Sequence, residues 1–347
     1  QGKYLSPGFI DTHSHSDTQL LSNPTADSKI MQGVTLEVIG QCGISAAPIK
    51  DAEDTKEAMS TVGSPDKPKW TDMASYIKLL EPQGISINVA PIVGHGTVRR
   101  NVMGVEPRVC TEDELEQMKS QVAAAMKDGA FGFSTGLIYV PGRFSETNEV
   151  IELAKACAEY GGIYFTHMRN ESTTLLEALA EAIEIGKEAK LPVQISHFKA
   201  MGKPNWYKVE KAISMIEEAR AEGLDITADQ YPYIASSTGL GSPLPKSAFT
   251  GGKGSEFLKD PVKRQEIIEK LRTRQNWDKI VVANLKNEDD HKYLGKNIAE
   301  IGDCQGISPE EAALSLLERN GGVVKIVNFA MNEDNVKTYG WFRRKRS

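Results

Sequence analysis

A chain of 347 residues that is 40 % hydrophobic and 25 % charged has the make-up of an ordinary globular protein, with room for one large core or two medium ones. Its formal net charge of −6 argues against general nucleic-acid binding, and the one dense basic cluster is Arg343, Arg344, Lys345 and Arg346. No apolar run is long enough to span a bilayer, no charged-then-apolar leader opens the sequence, and Cys42, Cys110, Cys157 and Cys304 lie too far apart for a disulfide framework, so a reducing cytoplasm is the expected location.

Short runs rich in Val, Ile and Phe recur along the chain, each followed by a turn and a helical stretch. Strands are expected at residues 8–11, 34–39, 85–93, 130–134, 163–166, 192–196 and 225–229. Helices are expected at residues 111–128, 147–160, 175–189 and 208–222, the first opening on Thr111 with the acidic turn Glu112, Asp113 and Glu114. Strands alternating with helices imply parallel pairing through crossovers. Seven units in about 230 residues suit a TIM-like (β/α)₈ barrel better than an open three-layer sheet, although periodicity alone permits both.

The rhythm breaks after Tyr233. Residues 236–254 are rich in Ser, Gly and Pro and read as a loop; a charged helix near 260–273 and a short strand near 279–284 follow. Residues 239–303 are thus expected to form an insertion or lid after the seventh strand. A helix at 309–319 and an apolar run at 323–329 resume the barrel pattern, which gives barrel strands over 7–238, an insertion over 239–303, and a return to the barrel over 304–347 with an atypical basic end.

Polar residues collect at the C-terminal ends of the expected strands, where barrel enzymes keep their active sites. The first strand ends Asp11-Thr12-His13-Ser14-His15, and residues two apart on a strand share a face. Taken alone, such a His-x-His is more often a hydrogen-bonded or solvated pair than a ligand pair. The second strand, however, ends Gln41-Cys42-Gly43, the fifth Thr166-His167-Met168-Arg169, and the sixth Ser196-His197-Phe198-Lys199. Four of the six histidines therefore sit at the mouths of three strands, and imidazole with thiolate is a ligand set suited to zinc.

The run Pro7-Gly8-Phe9-Ile10-Asp11-Thr12-His13-Ser14-His15 resembles the first-strand signature of the amidohydrolase superfamily. Gly40-Gln41-Cys42-Gly43, Thr166-His167-Met168-Arg169 and Ile195-Ser196-His197-Phe198-Lys199 resemble its N-acyl-D-amino-acid deacylase (D-aminoacylase) branch, over residues 7 to at least 233. Dihydroorotase-like and hydantoinase-like relatives bridge two metals with a carbamylated lysine on the fourth strand. Here that strand reads Gly132-Phe133-Ser134-Thr135-Gly136, without a lysine, and the D-aminoacylase branch uses a strand-two cysteine instead. The resemblance makes Cys42, His167 and His197 the ligands of a tight zinc. His13 and His15, sharing Cys42, would hold a second, weaker metal. Lys199 and Tyr231, the latter in Asp229-Gln230-Tyr231-Pro232-Tyr233, would bind the substrate carboxylate.

It further implies hydrolysis of the amide of a small-molecule N-acyl-D-amino acid to a carboxylic acid and a free D-amino acid, with the metal polarising the acyl carbonyl and an acid/base protonating the amine. The family's acid/base is an aspartate on the eighth strand. No such aspartate follows Asp334 here, and the β-sandwich segment that precedes the first strand in relatives is not in this sequence. The expectation is therefore a barrel lacking strand eight and the flanking sandwich, with the catalytic acid unassigned. The alternatives are an impaired metal-binding barrel and a cyclic-amide hydrolase, the second disfavoured by the fourth strand. Neither nucleic acid nor membrane is an expected partner, and the oligomeric state is not legible. Other residues point less sharply: His95 could line the pocket or simply fill a turn, Arg169 could bind substrate or pair with an acid such as Glu171, and His291 reads as exposed.

Overall fold

A computed structural model of the chain describes residues 4–50, 70–242, 244, 256–273 and 276–342. They fall into two compact units, Gln1–Ala200 with Tyr207–Tyr231, and Met201–Trp206 with Pro232–Ser347. No helix among the described residues is long and apolar enough to cross a membrane.

The first unit contains the parallel strands β1 (Phe9–Asp11), β2 (Val34–Ile39), β3 (Asn88–Pro91), β4 (Val93–Gly94), β5 (Gly132–Gly136), β6 (Ile163–His167), β7 (Val193–Ile195) and β8 (Ile226–Ala228). Each pairs with the next, in the orders β1-β2-β3 and β4-β5-β6-β7-β8. β3 and β4 are the two halves of the expected third strand; between them Ile92 donates its N–H to the carbonyl of Ile39. Leu36 and Val38 of β2, Ala90, Ile92, and Ile163 and Phe165 of β6 pack in one apolar cluster. β2 and β6 are not neighbours in the strand order, so their side chains meet only if the array curves round on itself. That packing decides between the two architectures periodicity left open, in favour of a barrel-like wall.

The helices between the strands follow local signals. Helix Glu112–Lys127 opens with a capping box: the Thr111 side chain accepts from Glu114 N–H, and Glu114 accepts from Thr111 N–H. Helix Leu175–Ala189 buries Leu175, Ala178, Leu179, Ala182 and Ile185 along one stripe, the spacing of a helix laid on a sheet.

In the second unit β9 (Ser236–Gly239), β10 (Ile280–Leu285) and β11 (Val324–Asn328) form an antiparallel sheet in the order β10-β11-β9. Here the structure departs from the sequence reading. The run at 323–329 does not join the parallel array, and β10 and β11 unite in one sheet the segments expected to be separate at residue 303. The reason lies in β11, where Val324, Ile326 and Asn328 are buried while Lys325 and Val327 are half-exposed. That alternation suits a sheet with one covered face, not a strand enclosed on both. β9 lies in the expected loop; its Ser-Ser-Thr-Gly sequence carries no apolar alternation, and backbone pairing to β11 makes it a strand. Most of residues 243–255, and the cluster Arg343 to Arg346, lie outside the described residues. Residues 201–206 belong to this unit as well: Gly202 N–H and Trp206 Nε1–H both donate to the carbonyl of Ala330.

In the first unit, fully buried Arg99 links helix His95–Met103 to helix Thr147–Ala158, its Nε 3.0 Å from Glu149 Oε1. His95 Nε2 lies 2.7 Å from the same oxygen, and the other Arg99 nitrogens donate to the carbonyls of Arg108 and Pro141. Burial would raise the Glu149 carboxyl, but His95 and Arg99 hold it below its ordinary value. Arg99→Met should remove one of that buried carboxylate's partners and cost about 3–5 kcal/mol in a urea titration; a loss under about 1 kcal/mol would show that the pair does not hold the helices.

Candidate metal centre

The barrel-facing side of each strand continues past its end. Leu36 and Val38 are followed at the same parity by Gly40 and Cys42, and Phe165 by His167; on β7 the residue in register with Phe165 is Gln194, so His197 joins the cluster from the other parity, through a backbone turned to φ 37°. The structure brings all five expected ligands together. Cys42 Sγ lies 3.5 Å from His13 Nε2 and 3.6 Å from His197 Nε2, and it also faces His15 and His167. The imidazole centroids stand 5.3 Å apart for His13 and His15, 4.9 Å for His13 and His197, and 4.3 Å for His167 and His197. Two sets of donor atoms lie within 4.8 Å of one another, His13 with Cys42 and His197, and His167 with Glu171 and His197.

Cys42 reaches the cluster because its turn passes very close to neighbouring backbone. A Cβ on Gly136 would lie 2.0 Å from the Cys42 carbonyl oxygen, and one on Gly43 (φ +76°) would lie 2.7 Å from the Gly136 nitrogen. Cys42 itself sits at φ 56° and His197 at φ 37°, left-handed conformations that non-glycine residues adopt at a cost of order 1–3 kcal/mol. Both are held by side-chain hydrogen bonds. Buried Ser134 donates to the Gly40 carbonyl at 2.5 Å and accepts from Gly43 N–H at 3.0 Å, clasping the turn. Asp229 Oδ1 accepts from His197 N–H at 2.7 Å, and its Oδ2 accepts from Gln194 Nε2 at 2.9 Å.

The electrostatics follow from burial and crowding. Burial alone would raise the Cys42 thiol, but the His13 and His15 imidazoles hold it well below the ordinary thiol range. Burial works against charge on His13 too, yet Cys42 and Asp229 push it up to about 10. Asp17 is raised to about 6, chiefly by burial. The donor set fits zinc: a thiolate and several imidazole nitrogens converge in a buried site, and neither ring nitrogen of His167 has a hydrogen-bond partner among the described residues.

Lys199 is buried, so it is not a solvated strand-end lysine. Its Nζ lies 2.6 Å from Glu171 Oε1 and 5.7 Å from the centre of the Tyr231 ring, which puts both expected carboxylate binders side by side. His95 is turned away into the Arg99–Glu149 network. Arg169 pairs with Glu181 through Nε at 3.0 Å and a terminal nitrogen at 2.8 Å, leaving Glu171 to the cluster, and His291 is exposed. Three residues that sequence reasoning did not assign belong here: Glu171, Asp229, and Tyr139, whose ring centre is 4.9 Å from that of His167. Glu171 follows His167 by four residues, and that short interval was the one available signal.

A model of the amidohydrolase family matches residues 1–272. A D-aminoacylase of Alcaligenes xylosoxydans xylosoxydans is 39 % identical over 239 residues, 69 % of this chain and 49 % of its own. An N-acyl-D-glutamate deacylase of the same organism is 39 % identical over 68 % of this chain and 48 % of its own, so the chain spans about half the length of these curated relatives. Among solved structures, N-acyl-D-glutamate deacylase from Bordetella bronchiseptica, complexed with zinc and a phosphonate inhibitor, matches with a TM-score of 0.80 at 31 % identity, over 96 % of this chain and 62 % of that one. A crystal structure of D-aminoacylase gives 0.78 at 30 % identity, over 97 % and 63 %.

Two measurements probe this geometry. Cys42→Ala should sharply lower the zinc content of the purified chain by elemental analysis, and Gly136→Ala should do likewise by displacing the Cys42 turn; full zinc retention in both would remove Cys42 from the site. Asp17 gives a pH signature. Its folded value of about 6 exceeds the 3.8 of a free aspartate side chain, so the folded chain binds the proton more tightly, and stability falls as pH rises between those values. Metal-free Asp17→Asn should therefore be more stable than the parent at pH 7 by roughly 2–3 kcal/mol, with the gap closing below about pH 4 in denaturant titrations.

Proposed function

Since the chain belongs to the D-aminoacylase family of the amidohydrolase superfamily, we propose that it carries the metal centre and carboxylate anchor for hydrolysing the amide of N-acyl-D-amino acids. The observation that carries this reading is the placement of buried Lys199 two residues beyond His197 and beside Tyr231. An N-acyl amino acid presents its α-carboxylate two bonds from the amide nitrogen. A fixed ammonium close to the thiolate–imidazole cluster therefore suits both ends of that substrate. The D configuration is the one named in the relatives.

Cys42, His167 and His197 would hold one zinc tightly, with His13 and His15 completing a second, weaker position around Cys42. Zinc bound there supplies Lewis acidity toward an acyl carbonyl and toward water. Lys199 and Tyr231 fix the substrate by its carboxylate, which orients the amide toward the cluster. Asp229 keeps His13 and the His197 backbone in place, its Oδ1 lying 3.7 Å from His13 Nδ1. Asp229 and Glu171 are both engaged by protein donors at the cluster, and the group that protonates the departing amine is left unassigned. A cyclic-amide hydrolase of the lysine-bridged kind is disfavoured because Ser134 of β5 is buried in its clasp on the Cys42 turn.

The test is calorimetry of the zinc-loaded chain with N-acetyl-D-methionine and with its carboxamide, alongside a turnover assay. The carboxylate should bind better than the amide, and Lys199→Met should weaken carboxylate binding by about 1.5–3 kcal/mol, the range of a charge-assisted hydrogen bond. Equal affinity of parent and variant would remove Lys199 from the substrate site. Turnover of a cyclic amide in place of N-acetyl-D-methionine would overturn the reading.

A further inference from the structure

The proposed chemistry gives Glu171 no task, yet it is buried at the centre of the cluster. Its Oε1 lies 2.9 Å from His197 Nδ1 and 2.6 Å from Lys199 Nζ, and its Oε2 is 3.7 Å from His167 Nε2. Lys199 Nζ is in turn 2.8 Å from His197 Nδ1 and donates to the His197 carbonyl at 2.7 Å. One ring nitrogen of His197 thus stands between an ionised carboxylate, which can only accept, and an ammonium, which can only donate.

The two neighbours make opposite demands. If Nδ1–H donates to Glu171, the lone pair of Nε2 faces Cys42 Sγ, 3.6 Å away, where a metal would sit. If Lys199 donates to Nδ1, the ring proton moves to Nε2, points at the sulfur and blocks ligation. The carboxylate is placed to win: its Oε1 is within hydrogen-bond reach of both Nδ1 and the ammonium, so Lys199 can donate to Glu171 and leave Nδ1–H to do the same. We propose that Glu171 is a positioning residue that keeps the His197 proton on Nδ1 while taking the Lys199 ammonium on the same oxygen. One carboxylate thereby sets both the metal ligand and the substrate anchor, a pairing of carboxylate with ligating imidazole that sustains metal affinity in other proteins.

This inference rests on the metal centre proposed above. It is tested by zinc affinity, read as competition with a chromophoric chelator, for the parent chain, Glu171→Ala, Glu171→Gln, Lys199→Met and the double variant Glu171→Ala/Lys199→Met. Glu171→Ala should bind zinc about 10–100-fold more weakly. Glu171→Gln keeps the volume of the side chain and an oxygen that accepts from Nδ1–H, so its affinity should fall between parent and alanine variant. The double variant should recover most of the loss, because the competing ammonium has gone; a chain that had merely lost its fold or packing would not be repaired by a second truncation. Parent-like affinity in Glu171→Ala, or an equally weak double variant, overturns the proposal. No zinc uptake by the parent would overturn the metal centre, and this inference with it.

Discussion

The turn Gly40-Gln41-Cys42-Gly43 passes so close to the backbone at Gly136 that no side chain fits between them, and the whole site depends on that approach. It carries the Cys42 sulfur into the midst of four imidazoles and forces the residue into a left-handed conformation. The strain is local, and its support is local too: a serine clasp on the turn and an aspartate on the backbone of His197. The candidate metal-binding groups are thereby placed by the fold, through backbone contacts at the turn.

A buried site of this kind must balance its charges, because an isolated ion in a low-dielectric interior is too costly to retain. The cluster does so in pairs. The Cys42 thiolate sits against His13 and His15, Asp229 against His13, and Glu171 against Lys199 and His197. A dication entering such an arrangement displaces protons from imidazole and needs little movement of protein. Lys199 belongs to that balance as well as to the proposed carboxylate site. It neutralises Glu171 and shares Tyr231, and its position is fixed from both sides.

The strands and the candidate ligands at their mouths were legible because apolar runs with a period of two each end in histidine or cysteine, in some cases at the same parity. Cys42 and His167 stand out in this way; His13 and His197 stand out only by their place at a strand end, since the inward parity of β1 and β7 runs through Ile10 and Gln194. Glu171, Asp229 and Tyr139 do not, since their part in the site depends on the path of the loop after the strand, which no periodicity encodes. His95 shows the converse. Its setting in Gly94-His95-Gly96 resembles a strand mouth, but it opens a helix and its ring goes to Glu149. In the second unit the alternation of Val324, Ile326 and Asn328 was visible, and its meaning as a one-sided antiparallel strand was not, because that required knowing which partners β9 and β10 would supply.

The Ser134 clasp also constrains how such a site can change by descent. In lysine-bridged relatives the fourth strand spends a side chain on two metals; here Ser134 on the corresponding strand is spent on holding the neighbouring turn. A serine-to-lysine exchange alone would abolish the clasp and thrust an ammonium among imidazoles before any second metal could reward it. Replacement of Cys42 alone would leave the clasp holding a turn with no thiol to present. Ser134 and Cys42 are thus coupled through one turn, and neither position can change without disturbing the other.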